Sequence, residues 1–598
     1  MALALHLDSR RPRARVTVLC LLATAALAAP LGFTVAAESS AQAKAIARGD
    51  AQLGRSLFRD RCALCHTAEP GDGGGGEGPS LIGVFGRHAG ADPRANYSPA
   101  LLAAKLQWDA PTLDRFLSAP TTLVPGTTMA IAVPLETDRR NLLAYFASVA
   151  DRTEPVGMPT AATGVADWRQ DHPGRVHRID LAGLPAPYAS ASHSNHPRVV
   201  ARPPQAQLSV PDGFHVQVFA TDLSGPRRMR AAANGDILLT EMAGGRVTVL
   251  RPTSDGSGVA TRSVFATGLK QPYGLALYPD ARNPKWLYVA ETNRILRYAY
   301  ATGDLLARSA PEVVVASLPA GAGHSTRDII FSPDSTRFYV SVGSASNVAA
   351  QMPKKSLTEA KQWDEIRSPG AAWGAETNRA DVLVFSAEQP TAPAIYATGL
   401  RNCVSLTWQP GTGNLWCTVN ERDGLGDDLV PDYSTHLEQG LFYGWPWYYL
   451  GSHEEPRLLG DRPDLRDHVT VPDLPYQAHS AALDLEFYVA TGGCSAFPAE
   501  YVGDAFATFH GSWNRAVRTG HKLVRVRMKD GQASGAYEDF LTGFIIDDDK
   551  VWGRPVAIVE LADGSLLMSD DGAGVIYRIS YKSLVHSDAC RQLPIPAS

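Results

Sequence analysis

Internal repetition constrains this chain more than any other feature. Asn234 to Leu250 (NGDILLTEMAGGRVTVL) aligns without a gap to Asp563 to Ile579 (DGSLLMSDDGAGVIYRI), and the same strand–turn–strand phrase recurs near Asn283, Asp334, Gly413 and Gly503. A flanking phrase repeats as well: Phe265-Ala-Thr-Gly-Leu269, Tyr396-Ala-Thr-Gly-Leu400 and Phe540-Leu-Thr-Gly-Phe544. One such unit cannot bury its apolar face alone, so copies must stack on each other. Six copies of antiparallel strands, punctuated by Gly and Asp turns, predict an all-β six-bladed propeller over residues 206–582.

In a propeller the first strand of every blade enters the central tunnel from the same end, so equivalent positions converge on one mouth. Aligning the six strand starts brings Arg228, Gln271, His324, Arg401 with Asn402, His479, and Trp552 with Arg554 to that mouth. A solvated tunnel wall would vary among turn residues. Several arginines around a histidine instead suit a bound anion, because each guanidinium grips a carboxylate through two hydrogen bonds. A second cluster, Asn420-Glu421-Arg422-Asp423-Gly424-Leu425-Gly426-Asp427-Asp428, puts dense carboxylates and glycines on one loop. Calcium prefers six to eight oxygens, backbone carbonyls included, and this loop offers them.

The N-terminal part carries different chemistry. Cys62-Ala63-Leu64-Cys65-His66 spaces two thiols for covalent haem attachment and places an imidazole as the proximal iron ligand. A zinc knuckle would need a second ligand pair, and none follows nearby. Gly54 and Phe58 precede the motif, and Leu142, Tyr145, Phe146 and Val149 form an i, i+3, i+4, i+7 stripe for a closing helix. Within Val124-Pro-Gly-Thr-Thr-Met129 stands a thioether, with His88 and Met158 as rivals for the sixth position. Residues 44–150 resemble the class I cytochromes c, a small all-α fold, and that resemblance implies Met129 as the second iron ligand.

The charge balance of 56 basic against 61 acidic residues offers no stripe for nucleic acid. Arg10, Arg11, Arg13 and Arg15, then an uncharged run to Ala37, read as an export signal over residues 1–37 with cleavage at 37–43. No transmembrane span is expected in the mature chain, which is placed in the periplasm or outside the cell. Residues 151–205 read as a linker lying over the larger domain, and 583–598 as a tail. Cys403, Cys417, Cys494 and Cys590 allow three pairings in an oxidising compartment. Cys403–Cys417 with Cys494–Cys590 is preferred, the first within one hairpin although simple register does not set the two opposite each other.

From Leu208 to Tyr581 the chain resembles the soluble pyrroloquinoline-quinone sugar dehydrogenases, in particular the L-sorbosone dehydrogenase branch. The carrying phrases are Gly323-His-Ser-Thr-Arg-Asp328, Gly399-Leu-Arg-Asn402, Asn420 to Asp428, Tyr443-Gly-Trp-Pro446, His510-Gly-Ser-Trp-Asn-Arg515 and Val551-Trp-Gly-Arg-Pro555. The resemblance implies His324 as the base, and Arg401, Asn402 and Arg554 as holders of the quinone. Arg515 takes a cationic position that glucose dehydrogenases fill with Lys. Calcium would sit near the carbonyls of Arg422 and Asp423, with Asp427 and Asp428 as further candidates. Gly343-Ser344 stands where those enzymes carry a carboxylate that orients the histidine. The expected protein oxidises an aldose or sugar-derived aldehyde and passes electrons through its own haem to a cytochrome, copper protein or terminal oxidase. The alternatives are a calcium-dependent propeller lactonase and a non-catalytic propeller that docks a cytochrome.

Overall fold

The computed structural model describes residues 49–62, 66–68, 78–92, 97–129, 131–150, 167–321, 323–350 and 352–581. The export signal, Cys65, Cys590, the first part of the linker and the C-terminal tail lie outside the described residues.

The N-terminal unit is helical. Its first helix, Ala51–Arg61, is capped by Asp50, whose carboxylate accepts from the amides of Gln52 and Leu53. It crosses the last helix, Glu136–Ser148. Gly54 permits that crossing, because a Cβ there would lie 1.9 Å from the Asn141 carbonyl. Phe58 then packs against Tyr145 and Phe146 with ring centroids 5.4 and 5.9 Å apart. Phe58, Leu142, Tyr145, Phe146 and Val149 are all buried in one apolar core, which Met129 flanks.

Six antiparallel sheets follow, and each contains one copy of the repeated phrase. Their inner strands are Pro226–Ala231, Leu275–Tyr278, Ile329–Phe331, Cys403–Trp408, Ala482–Phe487 and Pro555–Glu560. The ring is closed by a strand from the start of the domain: Phe214–Ala220, ahead of the first blade, pairs with Val575–Tyr581 as the outer strand of the sixth. Tyr273, Val404, Leu483, Val556 and Ala557 come from the inner strands or just before them and form a buried apolar cluster around the axis.

Two details differ from a simple reading of the repeat. Residues 168–200, in the linker, are built into the propeller: Val176–His177 adds a fifth strand to the fifth blade, and Arg198–Val199 pairs with Lys550–Val551. The Cys403–Cys417 disulfide forms with Cα atoms 5.9 Å apart. In the ladder Cys417 faces Leu406 and Cys403 faces Val419, so the bridge runs diagonally across a register shift at Cys403/Ser405. Cys494 is also disulfide-bonded, with its partner outside the described residues. Among the described residues no helix is long and apolar enough to cross a membrane.

Candidate active site at the tunnel mouth

His324 stands just ahead of the third inner strand. Its Nδ1 lies 3.0 Å from the Ser344 carbonyl and 3.1 Å from the Ser344 hydroxyl, and its own amide donates to the same carbonyl. Facing a carbonyl, Nδ1 carries the proton, and Nε2 keeps its lone pair. Burial and the neighbouring Arg401 hold the imidazole down at about 3, against the Ser344 carbonyl and Asp423, which pull it up. The ring is therefore neutral. Gly343 makes this arrangement possible, since a Cβ there would lie 2.4 Å from Asn402 Oδ1 and 2.7 Å from His324 Cβ. Ser344 thus occupies the orienting place with a carbonyl and a hydroxyl in place of a carboxylate.

From His324 the site continues around one arc of the mouth. Asn402 Oδ1 is buried without a partner. Arg401 donates to the Asn347 carbonyl and side chain, to the carbonyls of Asn420 and Glu421, and to Asp423 Oδ2. Its five N–H bonds are thereby all engaged, so Arg401 shapes the acidic loop and has no donor left for a ligand. His479 bridges the same loop, with Nδ1 on Asp423 Oδ1 at 3.2 Å and Nε2 on the Gly426 carbonyl at 3.0 Å. Burial alone would lower its pKa, but Asp423 and the Gly426 carbonyl outweigh it and raise it. Two acceptors on one ring call for the imidazolium. Arg515 donates to the Asp427 carbonyl at 2.7 Å and pairs with Asp428 at 2.8 Å, while its second terminal nitrogen stays buried and unpartnered.

A second arc includes residues that the sequence reading left unassigned. Arg554 meets His510 Nδ1 at 2.9 Å; His510 Nε2 meets Asp571 at 2.8 Å; and Asp571 accepts from Arg227 at 2.6 Å. Burial and Arg554 keep His510 down at about 4 despite Asp571. Arg227 lies over the Tyr273 ring at 5.2 Å. Arg554 Nε, Tyr273 Oη and His521 Nε2 are all buried without partners. The His510 amide donates to Ala481, two residues past His479, which joins the two arcs. The cue to this arc was present in the phrases His510 to Arg515 and Asp570-Asp571-Gly572, although neither marks the partners of its side chains.

Four expectations need correction. Arg228 does not face the mouth: it is buried and ion-paired with Asp328 and Asp484 inside the tunnel. The first inner strand shifts register between Pro226 and Met229, and Arg227 is the residue that joins the mouth network. Beyond this ionic plug, at the opposite end of the axis, lies a cavity of about 430 Å³ lined by Arg228, Arg230 and Glu486. Trp552 is no pocket wall either. It is buried against Phe544, donates to the Gly543 carbonyl and carries Arg202 over its ring. Gln271 reaches only the exposed rim, where it accepts from Thr292.

The fourth correction concerns calcium. The Asp423 carbonyl already accepts from Arg422 and Asn347, and Arg422 is paired with Glu455. Asp427 accepts from His193 and the Ala516 amide, and Asp428 from Arg515. Among the described residues Asp423, Asp427 and Asp428 form no convergent set; the convergent set is Asp171, His177 and Asp539, outside the mouth. The carbonyls of Arg422 and Gly424 are among the loop oxygens that accept no hydrogen bond and so stay open to a cation.

In the helical unit, His66 Nδ1 lies 2.7 Å from the Pro79 carbonyl, which leaves Nε2 for iron. A Cβ on Gly78 would lie 2.3 Å from the His66 ring, so this close approach requires glycine. Buried Cys62 lines the apolar core and Met129 flanks it, and this fits a covalent haem.

Comparison with known proteins agrees with both halves. Residues 208–432 and 463–582 match the TrAA12-like family. The propeller fold is shared with the pyranose dehydrogenase PQQ domain of Coprinopsis cinerea (TM-score 0.50, 20% identity, 64% of this chain and 98% of that one). It is shared equally with the calcium structure of the Trichoderma reesei family AA12 enzyme (TM-score 0.51, 21% identity, 65% of this chain and 100% of that one). A cytochrome c of Euglena viridis is 38% identical over 104 residues, 17% of this chain and the whole of that protein.

Proposed function

Because this chain belongs to the TrAA12-like family of PQQ-dependent sugar dehydrogenases and carries a fused cytochrome c domain, we propose that it is an exported quinohaemoprotein that oxidises an aldose or sugar-derived aldehyde and sends the electrons through its own haem to a respiratory acceptor. The observation that carries this reading is the tunnel mouth: a neutral, oriented imidazole beside buried cationic donors that have no protein partner.

Pyrroloquinoline quinone bound there would supply a two-electron hydride acceptor, calcium a Lewis acid, and the haem a one-electron outlet. The unpartnered nitrogens of Arg515 and Arg554 fit the carboxylates of such a ligand. The open carbonyls of Arg422 and Gly424 are among the oxygens that would face calcium. His324 does the proton chemistry: Nδ1–H stays on the Ser344 carbonyl while Nε2 takes the hydroxyl proton of the sugar as hydride leaves the same carbon. The product is the carbonyl compound. Arg401 and Asn402 hold the geometry around that step, and the ring of inner strands keeps it rigid.

The test is direct. The apoprotein loaded with quinone and calcium is given a panel of aldoses, and the reduced haem band is followed. At least one sugar should reduce the haem; reduction by none, in protein shown to hold the quinone, removes internal transfer.

A further inference from the structure

The connector between the two units takes a specific hold on the mouth. The Tyr188 amide donates to the Leu425 carbonyl at 2.7 Å. Ser192 and Ser190 hydroxyls accept from the amides of Gly426 and Asp427 at 2.8 and 2.9 Å. Gly426 sits at φ +122°, and a Cβ there would lie 2.8 Å from Ser190 Oγ, so the two segments are in intimate contact. His193 Nδ1 lies 2.9 Å from Asp427 Oδ1, and its amide reaches the same oxygen at 3.3 Å. Asn514 bridges the two, donating to the His193 carbonyl and accepting from the Gly424 amide, both at 2.9 Å. Asn195 is held by Arg518 and the carbonyls of Ala516 and Asp548, and His196 stacks on Trp513 at 5.2 Å.

These contacts converge on Asp427. Its carboxylate is held by His193 and the Ala516 amide, and its carbonyl holds Arg515. Arg515 in turn carries one of the unpartnered buried nitrogens of the mouth. We infer that residues 188–196 are a built part of the cofactor site, with His193 a positioning residue that fixes Asp427 and, through it, Arg515. The connector to the haem unit thereby helps hold the quinone. This inference rests on the function proposed above.

The molecule supplies its own control. Further back, the same connector is anchored to the fifth blade by Lys522, which bonds Asp171 at 2.8 Å and Asp539 at 2.7 Å, and by His177, 2.9 Å from Asp539. Within that anchor His177 contacts Asp539 and the Tyr537 ring and no residue of the mouth. In the full-length apoprotein, pyrroloquinoline quinone with calcium is titrated and binding followed by tryptophan quenching, with Tm measured alongside. His193→Ala should weaken quinone binding by about tenfold or more, as loss of a supporting hydrogen bond does, with Tm and the haem spectrum unchanged. His193→Asn, which can still donate to Asp427, should recover part of the loss. His177→Ala should lower Tm and bind quinone as the wild type does. Wild-type affinity in His193→Ala overturns the inference, as does a loss of affinity that follows Tm equally in both variants. Wild-type protein that binds no quinone overturns the cofactor reading itself, and this inference with it.

Discussion

At the scale of single residues, the proposed base is defined by what surrounds its ring. A histidine in water sits near 6.5, whereas burial and Arg401 hold His324 at about 3. The group is already neutral well below pH 5, so sugar kcat/KM should stay level from pH 7 to pH 5 and fall only on approach to pH 3. A base at the ordinary imidazole value would lose more than about tenfold by pH 5. A half-maximum near pH 6.5 in steady-state profiles would therefore reject the assignment. His324→Ala should abolish sugar-dependent haem reduction and leave quinone binding intact. Gly343→Ala tests position without touching a functional group. Its new methyl must displace His324 or Asn402, and a shift of about 1 Å costs on the order of 10²-fold in kcat. Stopped-flow reduction of the quinone-loaded enzyme checks this, with Tm as the control for folding.

At the scale of elements, the strand starts decide which side chains meet. A register shift in the first inner strand separates Arg227, which joins the mouth, from Arg228, which is sealed in the tunnel. A second shift lets Cys403 reach Cys417 although neither faces the other in the ladder. That bridge spans 14 positions and adjoins Asn402, so it ties the fourth blade together at the site. Cys403→Ala with Cys417→Ala should lower stability by about 2–3 kcal/mol, read from urea unfolding with and without reductant. Equal stability in both forms would show that the hairpin needs no bridge. Repetition in the sequence made the blades legible, because strand pattern and turn residues are local properties. The bulges were not legible, because a register shift depends on what the neighbouring strand pairs with.

At the scale of the whole molecule, one chain joins a two-electron site to a one-electron carrier. Under the proposed function each sugar oxidised therefore discharges two equivalents of a one-electron acceptor through the haem. A one-to-one yield of reduced acceptor to oxidised sugar, measured at completion, would contradict that coupling. The connector belongs to this scale as well: it carries the haem unit and also braces the loop that positions Arg515.

Sequence by itself determined the six-fold architecture and the haem-attachment motif and set His324 among the strand starts, since each rests on a periodicity or on residues adjacent in the chain. Tertiary structure alone decided that Arg401 spends its donors on the acidic loop, that Trp552 is buried in its blade and that Arg228 is sealed in the tunnel. It also brought in His510, Asp571, Arg227 and His193. A side chain's role depends on which partners satisfy its polar atoms, and here those partners lie up to several hundred residues away. Their proximity follows from closing the ring of blades, which no local pattern encodes.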